Sequence, residues 1–180
     1  KARPDCQIDI YERNARGSTF GWGVVFSDET LRGFLGADRE TFQQISDALY
    51  HWDDIDVHFR GHVLSSSGHG FSGISRQALL DILAARAESL GVSLHFEAQI
   101  EQPLVTLDAD LIVAADGIFS KTRDAYSERF EPDIDWRRCR YVWLGTDKLF
   151  DAFTFIFEET EFGWFQAHCY RFAEDTSTFI

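Results

Sequence analysis

The sequence has little that would suit a disulfide-rich, membrane or nucleic-acid-binding protein. Cys6, Cys139 and Cys169 are too few and too scattered for a disulfide framework or a paired zinc motif, so they fit a reducing, cytoplasmic setting. No apolar run approaches the roughly 20 residues that cross a bilayer, so no membrane partner is expected. Only 17 Lys and Arg stand against 30 Asp and Glu, a net charge of −13. That charge repels a polyanion, so nucleic acid is not expected as a partner.

Methionine is absent as well. The opening residues Lys1 to Asp5 are typical of a helix end followed by a proline stop, and Thr178 to Ile180 are typical of an interrupted strand. We therefore expect the chain to be a fragment of a longer protein. Its 180 residues, 44% hydrophobic and 26% charged, are ordinary globular values and are enough to bury a core.

Hydrophobic periodicity predicts alternating strands and helices over the first 115 residues. Strands are predicted at 7–11 and 92–96, and a pair of strands from Ile55 to Leu64. Ser27, Asp38 and Ser75 are N-cap candidates for three helices, the last of them at 76–90. The apolar stripe predicted for that last helix consists of Leu79, Leu83, Ala87 and Leu90.

The apolar run 111–115, bounded by aspartates, predicts a parallel strand buried on both faces. Together with the preceding strands and helices, it predicts a doubly wound, nucleotide-binding sheet. After about Trp136 the composition changes, because 13 of the 27 aromatic residues lie in 136–180 and strand patterns occur there without helices. We therefore predict an α/β chain with a Rossmann-like domain at 1–135 and the start of an antiparallel-sheet domain at 136–180.

Glu12 follows the first predicted strand, where an acidic side chain can accept hydrogen bonds from both hydroxyls of an adenosine ribose. No glycine-rich turn precedes it in this chain, so a solvated acid at a strand end is the alternative.

The segment from Asp116 to Arg123 follows the predicted buried strand directly. Asp116 would therefore emerge at the edge of the sheet where open α/β sheets bind ligands, and Gly117 would let the backbone approach a cofactor. Amides of a helix starting near Ser120, with the charge of Arg123, could hold phosphate. The alternative is a plain turn between a strand and a helix.

Two further features have both a functional and a structural interpretation. Arg76 stands in the first turn of the long helix, where a cation is unfavourable unless an anion such as a pyrophosphate binds beside it. The equal alternative is an exposed arginine, which costs only about a few tenths of a kcal/mol at that position. The two glycines of the string from Gly21 to Val25 could let the backbone lie against a planar ring, although the string taken alone favours a mobile surface turn.

One face of the aromatic strand near residue 168 combines aromatic planes with two polar groups. With a period of two, that face carries Phe162, Trp164, Gln166, His168, Tyr170 and Phe172. A sheet floor of this kind can stack a flat aromatic substrate while Gln166 or His168 orients a polar substituent, or it can be a packed core with one satisfied histidine.

The six histidines of the sequence suggest no metal site. His58 and His62 are four residues apart, but in strand and turn sequence that spacing does not bring their two rings together.

These segments together resemble the flavin-dependent aromatic hydroxylases of the para-hydroxybenzoate hydroxylase type. Asp116, Gly117, Ser120 and Arg123 are similar to the family's DG motif. Glu12 and Arg13 match its ribose-binding acid and the arginine that follows, and Arg76 matches the arginine that opens the helix after the flavin-contacting loop. The matching positions imply that Glu12, Arg13, Trp22, Gly23, Val24, Arg76, Asp116, Gly117, Ser120 and Arg123 contact FAD.

The strings GWGVVFSD, HWDDI, GHGFSG and VWLGT are similar to the branch of the family that acts on aryl-CoA thioesters. The family's first strand and its GxGxxG turn are missing from this chain. The resemblance implies FAD, NADH or NADPH as reductant, and oxygen that passes from a flavin hydroperoxide to an electron-rich ring. The implied substrate is an aryl-CoA such as salicylyl-CoA or 2-aminobenzoyl-CoA.

Within that resemblance, His168 is the candidate to hydrogen-bond the ring substituent, and Trp164, Gln166 and Tyr170 are the candidate substrate contacts. The alternatives are a hydroxylase of a free aromatic acid or of tryptophan, and a flavin-binding module without catalysis. A small aromatic molecule is the expected partner, and a homo-oligomer is compatible with the sequence.

Overall fold

The computed structural model describes residues 5–101 and 107–180, and in them it has eleven strands and five helices. The predicted helix end at residues 1–4 lies outside the described residues. The elements in chain order are β1 (Asp9–Tyr11), β2 (Gly23–Ser27), α1 (Asp28–Ala37), α2 (Arg39–Asp47), β3 (Tyr50–Trp52), β4 (Ile55–Phe59), β5 (His62–Ser66), β6 (Phe71–Ser75), α3 (Arg76–Ser89), β7 (Ser93–His95), α4 (Lys121–Ala125), α5 (Ser127–Phe130), β8 (Leu144–Thr146), β9 (Phe153–Thr160), β10 (Gly163–Arg171) and β11 (Ser177–Phe179). Over the two described ranges, no helix is both long and apolar enough to cross a membrane.

The chain forms two compact units, which are interleaved along the sequence. Among the described residues, the first unit comprises 5–8, 17–93 and 141–180, and the second comprises 9–16, 94–101 and 107–140. The predicted domain boundary between residues 135 and 136 stays a prediction.

A six-stranded sheet in the first unit joins the last third of the chain to an early hairpin. Its strand order is β5-β4-β9-β10-β11-β8, and every neighbouring pair is antiparallel except β4 and β9. The antiparallel strands predicted after Trp136 are therefore confirmed. The hairpin of β4 and β5 was also predicted, but its parallel pairing with β9 was not.

The first unit also has a three-stranded sheet, in the order β2-β6-β3, that is covered by helices on one side. Leu31 of α1, Ile45 of α2 and Ile74 of β6 are buried together in the core between this sheet and its helices. Ser27 begins α1 as predicted, and its hydroxyl accepts a hydrogen bond from the Thr30 amide at 3.3 Å.

A second core forms where the three-stranded sheet meets the six-stranded sheet. Trp52 of β3, Tyr170 of β10 and Phe172 are buried there. The rings of Trp52 and Tyr170 stack with their centroids 6.0 Å apart. Aromatic side chains of both sheets therefore form one continuous apolar layer.

Helix α3 begins after Ser75 as predicted, but its apolar stripe differs from the prediction. Leu83 and Leu90 are 40% and 44% exposed, whereas Ala78, Leu79 and Ile82 pack against the first core. The helix is apolar on more than one face, so its own periodicity did not determine which face lies on β6. Contact with the sheet determines it instead.

The prediction of a strand at 111–115 is wrong. These residues have no strand conformation, and Leu111 and Val113 are each 80% exposed. A buried parallel strand needs a hydrogen-bonded neighbour on both sides, and none of the strands in the described residues pairs with this run. The run is apolar, but its composition does not determine which strand would pair with it.

Candidate functional site

The string from Gly21 to Gly23 does lie against planar rings, and the rings belong to this chain. A Cβ on Gly21 would come within 2.7 Å of the Trp143 ring, and a Cβ on Gly23 would come within 2.7 Å of the Phe172 ring. The buried hydroxyl of Tyr170 donates a hydrogen bond to the Gly23 carbonyl at 2.9 Å. Both glycines are therefore needed because aromatic side chains of the first unit occupy the space beside them.

Trp22 is the residue of this string that stays accessible. Its side chain is 47% exposed, while its carbonyl accepts a hydrogen bond from the Arg76 amide at 2.8 Å. The following Val24 packs its side chain against the first core. A flavin contact by this string would therefore come from the indole of Trp22 rather than from the buried atoms of Gly23 or Val24.

Arg76 is the first residue of α3, as predicted. The Ser75 hydroxyl caps the helix by accepting from the Ala78 amide at 3.5 Å. The Arg76 Nε is buried and has no hydrogen-bond partner among the described residues. A buried donor without an acceptor is costly, and an anion such as a phosphate would satisfy it.

In the second unit, Asp116 organises the turn that leads into α4. Its two carboxylate oxygens accept hydrogen bonds from the Ser120 hydroxyl and from the Thr122 amide, the latter at 3.0 Å. The Ser120 hydroxyl in turn accepts from the Arg123 amide at 2.9 Å and begins the helix. Gly117 has a φ of +82°, which is why a glycine stands there.

These hydrogen bonds lower the pKa of Asp116 to about 2, with the Ser120 hydroxyl as the largest cause and the Thr122 amide next. The carboxylate is therefore ionised throughout the physiological range. Its present contacts stabilise the turn, so a role toward a cofactor would be added to a structural one.

Arg123 resembles Arg76 in its environment. One guanidinium nitrogen donates to the Ile118 carbonyl at 2.9 Å, whereas the Nε is buried without a partner in the part of the chain that the structure describes. Arg123 and Ser120 line a cleft of about 520 Å³ with Ile112, Val113 and Tyr126. The predicted phosphate ligands thus face an open space of the size that a cofactor fragment requires.

Glu12 follows β1 at the surface of the second unit, as predicted. Its carboxylate accepts a hydrogen bond from the Asn14 amide at 2.7 Å and a second from the Asn14 side chain. The backbone of Glu12 is bonded to His95 and Ala98 on the other side. Arg13 beside it is exposed. The acid is thus held in a defined conformation at the accessible end of a strand.

The predicted substrate face of β10 is divided into an exposed half and a buried half. Trp164 is 52% exposed and Gln166 is exposed too, whereas Tyr170 is buried in the second core. Trp164 stacks on Phe59 of β4 with the ring centroids 5.8 Å apart. The hydroxyl of Tyr170 is already used by the Gly23 carbonyl, which the sequence did not reveal.

His168 lies between these halves and is half-buried. Its ring stands edge-on to Phe153, with the centroids 6.2 Å apart, and lies at the same distance from Phe155. Burial lowers the pKa of His168. The ring is therefore neutral at neutral pH and keeps one nitrogen as an acceptor and one as a donor.

The structure thus groups the predicted site residues into two sets. Trp22, Gly23, Val24, Arg76, Trp164, Gln166, His168 and Tyr170 belong to the first unit, and Glu12, Arg13, Asp116, Gly117, Ser120 and Arg123 belong to the second. Trp143 and Gly145, for which the sequence predicted no role of their own, pack around the string from Gly21 to Gly23, and Phe172 of the predicted substrate face packs there too. The alternation of glycine with tryptophan in both segments was the available signal.

Comparison with known proteins gives relatives that match this chain over its whole length. No protein-family model matches the chain. Salicyloyl-CoA 5-hydroxylase of a Streptomyces species is 36% identical over 180 residues, which are 100% of this chain and 35% of that protein. Protodeoxyviolaceinate monooxygenase of Chromobacterium violaceum is 32% identical over 190 residues, covering 100% of this chain and 49% of that protein. The predicted resemblance to FAD-dependent aromatic hydroxylases is confirmed.

The hydroxylase resemblance extends to the fold. The tetrameric form of 2-methyl-3-hydroxypyridine-5-carboxylic acid oxygenase superposes with a TM-score of 0.72 at 19% identity, over 94% of this chain and 50% of that one. The predicted α/β fold class is confirmed as well. The chain spans between about a third and a half of the length of these hydroxylase relatives.

Proposed function

We propose that the protein carrying this chain is an FAD-dependent monooxygenase that hydroxylates an aromatic ring, and that its substrate is an aryl-CoA thioester. The observation that carries the proposal is the 36% identity to salicyloyl-CoA 5-hydroxylase along all 180 residues. Relatives named as monooxygenases at 32% and 30% identity support the reaction type but differ in substrate.

Each unit by itself offers residues that suit part of an anionic dinucleotide. Arg76 and Arg123 each have a buried Nε without an acceptor in the described ranges, and a phosphate oxygen would satisfy each of them. Glu12 presents a carboxylate at the accessible end of β1, which suits the two hydroxyls of a ribose. Trp22 offers an exposed indole face for contact with a planar ring.

FAD bound to the protein and reduced by NADH or NADPH would supply the chemistry that activates molecular oxygen. The chain's own contribution is to bind, orient and shield. Phe153 and Phe155 of β9 pack around the His168 ring and would shield a ring bound beside it from water. The neutral ring of His168 would accept or donate one hydrogen bond to a hydroxyl or amino group on the substrate, which would orient the ring.

Flavin binding is tested first. The protein should purify with FAD, and Glu12→Ala should raise the FAD dissociation constant roughly 10- to 100-fold, because one charge-assisted hydrogen bond is lost. Glu161→Ala is the matched control, since Glu161 is an exposed glutamate in the β9–β10 turn. An unchanged constant in folded Glu12→Ala would contradict the ribose assignment.

The substrate class is tested next, by NADH or NADPH oxidation and product formation with salicylyl-CoA, 2-aminobenzoyl-CoA, their free acids and tryptophan. The proposal expects hydroxylation of a thioester at a kcat/KM well above that of its free acid. Preference for a free acid or for tryptophan would reject the thioester. FAD binding without any substrate-stimulated oxidation would instead indicate a non-catalytic flavin module.

A further inference from the structure

Two tryptophans and two glycines of the first unit pack reciprocally, and we call them the glycine–indole interlock. The indole of Trp22 lies on Gly145, where an added Cβ would meet the ring carbons Cδ2, Cε2 and Cε3 at 2.9 Å. The indole of Trp143 lies on Gly21, where an added Cβ would meet ring carbons at 2.7–2.9 Å. The segment 21–23 therefore supplies the Trp22 ring and leaves space at Gly21 for the Trp143 ring. The segment 143–145 supplies the Trp143 ring and leaves space at Gly145 for the Trp22 ring.

The interlock fixes the indole of Trp22 separately from its backbone. The backbone is held by the hydrogen bond from the Arg76 amide to the Trp22 carbonyl at 2.8 Å. The ring remains 47% exposed, and on its inner side it is supported by Gly145. Removing that space would move the ring, because real Cβ atoms do not come as close as 2.9 Å to ring carbons.

We infer that Gly145 is a positioning residue, which sets the orientation in which the Trp22 indole meets the bound flavin. The inference rests on the proposed function, because only a flavoprotein gives the exposed ring a flavin to contact. It assigns a role to the string from Val142 to Thr146, which otherwise contributes only β8, a three-residue strand at the edge of the six-stranded sheet.

Gly145→Ala is the substitution that tests the contact with the Trp22 ring alone. Gly145 lies in β8 opposite Thr178 and is absent from the residues with positive φ, so alanine fits its backbone and only the contact with the ring changes. Gly21 has a φ of +102°, so Gly21→Ala would add backbone strain to the displacement of Trp143. Gly36→Ala in α1 is the control, because a Cβ there meets nothing within 4 Å.

In the holoprotein, Gly145→Ala should raise the FAD dissociation constant about 3- to 10-fold, the loss expected for one misplaced aromatic contact, and should shift the flavin absorption bands. Gly36→Ala should do neither. The change should disappear when Trp22→Ala is already present, since the ring that Gly145 orients is then gone. A structural role of Gly145 alone would give the same fold-change in both backgrounds and would overturn the inference.

A second readout does not depend on flavin. In the flavin-free protein, Gly145→Ala should change the acrylamide quenching of the Trp22 fluorescence, obtained as the difference from Trp22→Phe in each background. Unchanged quenching would overturn the inference whether or not FAD binds. A wild-type protein that binds no FAD would reject the proposed function, while the quenching would still decide whether Gly145 orients the ring.

Discussion

Replacing Tyr170 by phenylalanine removes a buried hydroxyl and keeps the aromatic ring. The ring of Tyr170 is 5% exposed, stacks on Trp52, and stands edge-on to Phe153 with the centroids 5.5 Å apart. Phenylalanine keeps these contacts. What it loses is the hydroxyl that donates to the Gly23 carbonyl at 2.9 Å and so links β10 to the start of β2.

The loss of this hydrogen bond should cost about 1–2 kcal/mol in the free energy of unfolding, because a net hydrogen bond contributes about 1 kcal/mol and the carbonyl stays buried without this donor. For a chain of this size, that corresponds to a drop in Tm of about 2–8 °C. Denaturant unfolding and calorimetry of flavin-free protein measure both quantities. Tyr141→Phe is the control, since Tyr141 is 78% exposed and should change neither.

The same variant also tests the prediction that Tyr170 contacts the substrate. If the hydroxyl serves the Gly23 carbonyl alone, the KM for the aromatic substrate should stay unchanged in Tyr170→Phe. A raised KM at an unchanged Tm would refute the structural reasoning and place the hydroxyl at the substrate.

Three further outcomes are expected. The carboxyl of Asp116 should titrate near pH 2 rather than 3.8 by NMR, and the stability it contributes should be present above about pH 4 and lost as the pH falls toward 2; Asp116→Asn should remove this pH dependence. Because burial lowers the pKa of His168, the stability that this group contributes should be present above pH 6.5 and lost as the pH falls through its folded pKa. His168→Ala should lower the product formed per NAD(P)H consumed by a larger fraction than it lowers the free energy of unfolding. Gly73→Ala should destabilise the protein by about 1–3 kcal/mol, because the Cβ would overlap the Arg171 carbonyl, whereas Gly36→Ala should not.

Local signals predicted the helix starts well. Ser27, Ser75 and Ser120 each accept a hydrogen bond from an amide three residues later, because the groups that decide a helix N-terminus are neighbours in the sequence. Asp38 was also predicted as a cap and does precede α2. However, its carboxylate binds the Arg86 guanidinium of α3 at 2.7 Å instead of an amide of α2. That partner is 48 residues away and no local pattern indicated it.

Predictions that needed a partner distant in sequence succeeded less often. The run 111–115 has the composition of a buried strand, yet in the described residues it has no neighbouring strand. For the candidate site, sequence similarity identified Trp22 and Asp116 as residues of interest. Only the structure revealed that Gly145 supports the Trp22 ring and that Tyr170 is bonded to Gly23. Such contacts depend on tertiary packing, which periodicity does not encode.

The parallel pairing of β4 with β9 has a consequence for how the chain reaches its native state. Ile55 meets Phe153 and Phe59 meets Phe157, so this ladder closes a loop of about a hundred residues, and contacts of such long range slow folding. During synthesis the hairpin of β4 and β5 emerges early, with the edge of β4 open until β9 leaves the ribosome. In that interval Phe59 and the neighbouring apolar side chains are available to wrong partners, so a chaperone that covers exposed strand edges should raise the yield of native protein.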